Sequence, residues 1–101
     1  MKVVFSDAAS DRLSDLLFFM QEKQGIPPEV VDRLLVEILD AADSLGEWPT
    51  KGQLEPFLSE PGKQHRRIIV RHVKIVYLIM EDHIRVTDFF DSRQRPDKLK
   101  L

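Results

Sequence analysis

Residues 65–96 read HRRIIVRHVKIVYLIMEDHIRVTDFFDSRQRP. β-branched and aromatic residues alternate there with cations, and the pattern breaks at Arg71-His72 and again at Glu81-Asp82-His83. Short runs of this kind, bounded by polar pairs, predict three strands in an antiparallel meander. In the middle run Val73, Ile75, Tyr77 and Ile79 alternate with Lys74, Val76, Leu78 and Met80, so both faces are mostly apolar, as in a central strand covered on two sides. In the last run Ile84, Val86 and Phe90 are expected on the core face, with Arg85, Thr87 and Phe89 opposite. In the first run Arg67 and Arg71 alternate with Ile68 and Val70, so Arg67, Arg71 and Lys74 are expected to form a basic cluster on the open side of the sheet.

Upstream, residues 2–5 (KVVF) suit a short buried strand, and Ser6-Asp7 offers side-chain oxygens to a helix start. Leu13, Leu16, Leu17 and Met20 then recur at helical spacing. Phe18 and Phe19 widen that apolar surface beyond one stripe, which marks them for contact with a partner. Residues 24–28 (QGIPP) combine a helix-ending Gly with helix-starting prolines. Val31, Leu34, Leu35, Ile38, Ala42 and Leu45 form a second stripe, and the acidic residues around it read as a solvated face. The short connection predicts an antiparallel helical hairpin. Residues 47–63 (EWPTKGQLEPFLSEPGK) hold three Pro and two Gly, which predicts a surface connection pinned by Trp48, Leu54, Phe57 and Leu58, with a helical turn over 54–58. The expected fold is α+β in the order β-α-α-β-β-β: an N-terminal strand, the hairpin, and a three-stranded meander completing a four-stranded sheet. Residues 1–101 form one domain.

Composition narrows the chemistry. The 101 residues include no Cys, which removes disulfides, thiolate metal sites and thiol nucleophiles together. No run approaches the roughly 20 apolar residues of a membrane helix, and no signal-peptide pattern opens the chain, so a cytoplasmic protein without membrane contact is expected. The net charge of −2 hides an asymmetry: residues 1–61 carry 5 Lys/Arg against 12 Asp/Glu, residues 62–101 carry 10 against 5. The basic C-terminal half suits an anionic partner, either nucleic acid or an acidic protein segment.

Among the histidines, His65 lies beside Arg66 and Arg67 and is the best placed to titrate near a phosphate. His72 and His83 fall at hairpin turns. Tyr77 reads as core packing with a tethered hydroxyl. No pair has metal-ligand spacing, and neither a metal nor a cofactor is expected. Gly62-Lys63 lacks a phosphate-loop pattern, and Ser59 and Ser92 have no His-Asp partners at recognisable spacing. Glu55 and Glu60 would serve as bases only if their segment folds over the sheet.

The element order, the separation of Arg67 from Tyr77, the run KIVYLI (74–79) and the ending FFDSRQRPDKL (89–99) resemble toxins of the RelE/ParE superfamily of bacterial type II toxin-antitoxin systems. The resemblance covers nearly the whole chain and is closest to the ParE-like subgroup. It implies a growth-inhibiting toxin, of the plasmid-stabilization kind, neutralised by a cognate antitoxin that binds it. ParE-like members inhibit DNA gyrase by protein binding; RelE-like members are ribosome-dependent mRNA endonucleases. A metal-independent ribonuclease reading uses Arg67, Arg71, Lys74 and His65 around a scissile phosphate. RelE-like nucleases commonly supply a Tyr or His after the last strand, where this chain has Asp91-Ser92-Arg93, and Asp91 also replaces the His of a His-x-Arg motif. That departure favours a non-enzymatic toxin, with Asp91 pairing Arg93 to fix the tail. Arg67, Arg71, Lys74, Arg85, Arg93 and Arg95, with Phe18 and Phe19, are the expected partner- or anion-binding residues.

Overall fold

The structure, a computed structural model, describes residues 1–60 and 63–93, and the side chains of all of these except 56–60 and 63. Strand β1 (Lys2–Phe5) leads into α1 (Asp7–Glu22) and α2 (Pro28–Ser44). A 3-10 turn at Pro49–Lys51 then precedes β2 (Gln53–Glu60), β3 (Lys63–Val70), β4 (Val73–Ile79) and β5 (His83–Asp91). The five strands form one sheet in the order β1-β5-β4-β3-β2. All neighbours pair antiparallel except β1, which runs parallel to β5 at one edge.

Local chemistry explains the hairpin. The Ser6 side chain accepts the Ala9 N–H at 3.1 Å and caps α1, satisfying a donor that the first turn leaves open. At the other end Ile26 N–H reaches the Met20 carbonyl at 3.1 Å, and Gly25 takes φ +67°, a left-handed backbone that ends helices at low cost in Gly. Pro28 then opens α2, where a missing N–H costs nothing.

Ala9, Leu13 and Met20 of α1 and Val31, Leu34, Ile38 and Ala42 of α2 pack on one sheet face against Val73, Ile75, Tyr77, Ile84, Val86 and Phe89. Val76 and Phe90 form a second small cluster.

Three expectations change. The segment expected as a connection with a helical turn over 54–58 contains strand β2, which adds a fifth strand and pairs Gln53 with Arg67 and Leu54 with Arg66. Trp48 and Leu54 do not pin it, being 61% and 51% exposed; the side chains of Phe57 and Leu58 lie outside those described. The core face of β5 also differs. Val76 pairs with Asp88 but Tyr77 pairs with Val86, so Thr87 is an extra residue in the ladder. A bulge advances the side-chain alternation by one. Phe89 therefore joins Ile84 and Val86 in the core, and Phe90 turns to the other face. Thirdly, Arg71 leaves the expected basic cluster.

Candidate functional site

Strand alternation sets Arg67 of β3 and Lys74 of β4 on the face away from the helices. Glu55, two residues beyond the partner of Arg67 on β2, shares that face. The Glu55 carboxylate is 2% exposed. Its Oε2 lies 3.0 Å from Lys74 Nζ and 3.5 Å from Arg67 Nε. Arg67 also donates to the Leu54 carbonyl, and Nη2 approaches Gln53 Oε1 at 3.4 Å. Lys74 Nζ stands 6.0 Å from the centre of the Phe90 ring, at the outer limit of a cation–π contact. His65, two residues before Arg67, is 3% exposed. A buried carboxylate, two cations and an imidazole thus occupy one region of the sheet, with one cation balanced by Glu55.

Arg71 sits elsewhere. It takes the first position of the two-residue turn between β3 and β4, with φ +59°. Its guanidinium clasps Glu37 of α2 through Nε to Oε2 and Nη2 to Oε1, each 2.9 Å. That hydrogen-bonded pairing holds the Glu37 carboxyl below its ordinary range. The turn projects Arg71 toward the helices because it lies at the sheet end, beyond the strand alternation.

The end of β5 is fixed by a second ion pair. Arg93 donates to Asp91 through Nε at 3.0 Å, Nη2 at 2.8 Å and its backbone N–H at 2.9 Å. The bonded Arg93 side chain lowers the Asp91 carboxyl. Ser92 N–H and Oγ both reach the His72 carbonyl, at 2.8 and 2.9 Å. Arg85 is exposed on β5, His83 Nδ1 lies 2.7 Å from Asp82, and Arg95 and Glu60 fall outside the described residues and side chains. Tyr77 is buried and its hydroxyl tethered.

The expected partner residues of α1 are strongly exposed, Phe18 at 64% and Phe19 at 46%. Phe19 lines a groove of about 300 Å³ with Arg12, Asp15, Leu16, Phe89, Phe90 and Asp91. Beneath Arg12, Asp88 is 2% exposed, with Oδ1 3.7 Å from the Arg12 guanidinium. Burial raises this carboxyl to about 6, against the opposing pull of Arg12 and the Phe89 N–H. Glu37 and Asp88 carry no signal as site residues in the sequence; Glu55, expected to matter only if its segment folds over the sheet, joins the sheet itself on strand β2. Among the described residues no group of three or more His, Asp or Glu is arranged to hold a metal ion, and no helix is long and apolar enough to cross a membrane.

No family model matches the chain, and no curated protein matches it. Solved structures do. One is a chain described as "Chromosomal ParDE TA system from P. aeruginosa", similar at a TM-score of 0.67 and 14% identity over 88% of this chain and 92% of that one. The chain has, over most of its length, the same fold as a protein of a ParDE toxin-antitoxin system.

Proposed function

We propose that this protein is the toxin of a type II toxin-antitoxin pair, a ParE-like inhibitor that acts by binding DNA gyrase and is neutralised in the cytoplasm by a cognate antitoxin. One observation carries the reading: the cations that would hold RNA phosphate are engaged by carboxylates, while the apolar surface of α1 is open. Arg67 and Lys74 pair with Glu55, Arg71 with Glu37 and Arg93 with Asp91. Phe18 stands exposed on α1, and Phe19 stands exposed in the groove of α1 and β5. Aromatic anchors beside a groove suit a protein partner, and the shared fold with a ParDE chain supports the system. Fold alone carries no target. Purified protein added to a gyrase supercoiling assay is expected to inhibit it, and Phe18→Ala with Phe19→Ala to weaken capture by the antitoxin encoded beside it. Full supercoiling at saturating protein refutes the gyrase reading.

A second reading, a ribosome-dependent mRNA endonuclease, is favoured by the gathering of Glu55, His65, Arg67 and Lys74 in one region of the sheet. Glu55 would take the 2′-hydroxyl proton and the cations would stabilise the phosphate. New mRNA cuts on translating ribosomes, lost in Arg67→Ala, would establish it over the first.

A further inference from the structure

Asp88 of β5 is buried beneath Arg12, which lines the groove between α1 and β5 together with Leu16 and Phe19. It follows the extra residue that the bulge inserts at Thr87. Its Oδ1 accepts the Phe89 N–H at 2.9 Å, and its Oδ2 is buried with no hydrogen-bond partner among the described residues. The Arg12 Nε stands 3.7 Å from Oδ1, beyond the roughly 2.7–2.9 Å of a charge-assisted hydrogen bond. The Arg12 side chain is 37% exposed, so it has room to move toward the carboxylate or away from it.

Neither protonation state is fully satisfied by this arrangement. An ionised Asp88 places a charge out of water with its cation too far away to donate a hydrogen bond. A protonated Asp88 needs no cation and leaves Arg12 to the groove. The charged groups of the surrounding elements identify the cation that answers Asp88. Helix α1 presents Arg12 and, in the groove, Asp15; β5 itself presents Asp91, which Arg93 holds. Strand β4 sets Val76 opposite Asp88, and its cation Lys74 lies on Glu55 of β2. Strand β1 stops pairing with β5 at Val86 and sets Lys2 at His83. Arg12 is thus the group free to respond, and burial raises the Asp88 carboxyl to about 6, which brings both of its states within ordinary pH.

We propose that Asp88 and Arg12 form a proton-operated gate on this groove: loss of the Asp88 proton draws the Arg12 guanidinium down onto the buried carboxylate, and proton uptake frees it toward the groove and Asp15. The proton passes to solvent, while the guanidinium stays charged in both states. Asp15 lies three residues beyond Arg12 on α1, a spacing at which side chains on a helix meet. The groove therefore keeps a guanidinium at its mouth when Asp88 is protonated, and loses it to the buried carboxylate when Asp88 is ionised. The gate is built from this chain's own residues and holds whether or not the toxin reading does.

The test follows the full chain by NMR from about pH 5 to about pH 8, with nitrogen labels in the arginine side chains and carbon labels in the leucine methyl and aspartate carboxyl groups. The Arg12 Nε–H and Leu16 methyl signals are expected to move together in one step centred at about 6, without a matching step at Leu39, which lies outside this groove. Asp88→Asn is expected to remove the step from both signals, and Asp15→Asn to keep it. Arg12→Gln is expected to move the Asp88 titration upward, because Arg12 pulls that carboxyl down, and to abolish the step at Leu16. Arg12 and Leu16 signals that stay flat across the window in the parent chain overturn the gate. So does a step that survives Asp88→Asn and hence belongs to another group, or an Asp88 titration that Arg12→Gln leaves unmoved.

Discussion

The Tyr77 hydroxyl accepts the Gly52 N–H at 2.9 Å and donates to the Pro49 carbonyl at 2.7 Å, so the central strand holds the segment that leads into β2. Arg66 reinforces the same point by donating to the Gly52 carbonyl at 2.7 Å. Burial raises the Tyr77 phenol above its ordinary value, which keeps it a neutral donor. A Cβ on Gly52 would lie 2.6 Å from both the Tyr77 hydroxyl and the Arg67 carbonyl. Only Gly permits that approach. Through it β2 enters the sheet in register and brings Glu55 to Arg67 and Lys74.

Tyr77→Phe should therefore leave a buried N–H and a carbonyl without their partner and cost about 1–3 kcal/mol in urea unfolding. Gly52→Ala should cost a similar amount, about 1–3 kcal/mol, by overpacking. A neutral Gly52→Ala would mean that the close approach is not maintained in solution.

Removing Glu55 should be worse than removing it with its partner. Glu55→Ala takes the carboxylate from beside the largely buried Lys74 ammonium and is expected to cost about 3–5 kcal/mol. In the double variant Glu55→Leu with Lys74→Met the buried ammonium goes with its carboxylate, and only Arg67, which keeps the Leu54 carbonyl, loses a partner, so part of the loss should be recovered. Equal losses for single and double variants would show that the ion pair is not what Glu55 contributes.

Asp88 makes stability depend on pH in a definite direction. Its carboxyl is raised from 3.8 to about 6 in the native state, so the folded protein holds a proton that the unfolded chain has lost. The stabilisation is complete below the ordinary value and disappears as pH rises toward about 6. The change amounts to at most about 3 kcal/mol. Asp88→Asn, measured against the parent across this window, should flatten that part of the profile. A parent whose stability relative to Asp88→Asn rises with pH would contradict the assignment.

The Arg71–Glu37 clasp can be read at the carboxylate. Because the bonded guanidinium is the main cause of the lowered Glu37 carboxyl, Arg71→Ala should move the Glu37 titration upward, toward its ordinary range, in a carbon-detected NMR titration. Lys74→Ala, remote from this pair, should leave it in place. An unmoved Glu37 in Arg71→Ala would mean that the two side chains do not meet in solution.

The sequence by itself determined the class and most of the elements, because their signals are local. Helical spacing from Leu13 to Met20 and from Val31 to Ala42, the QGIPP break, and the two-faced apolar run of β4 need no tertiary context. The Asp91–Arg93 pair was legible for the same reason, its partners being two residues apart. Tertiary structure decided three matters that depend on distant pairing. Gln53–Glu60 became a strand because β3 offered a partner edge and Tyr77 tied Gly52 beside it, against the loop signal of its prolines and glycines. An extra residue at Thr87 exchanged the faces of Phe89 and Phe90, which alternation cannot reveal when a bulge intervenes. The basic cluster read from the spacing of Arg67, Arg71 and Lys74 divided in two, since charges settle beside carboxylates brought by other elements: Glu55 from β2 for Arg67 and Lys74, and Glu37 from α2 for Arg71.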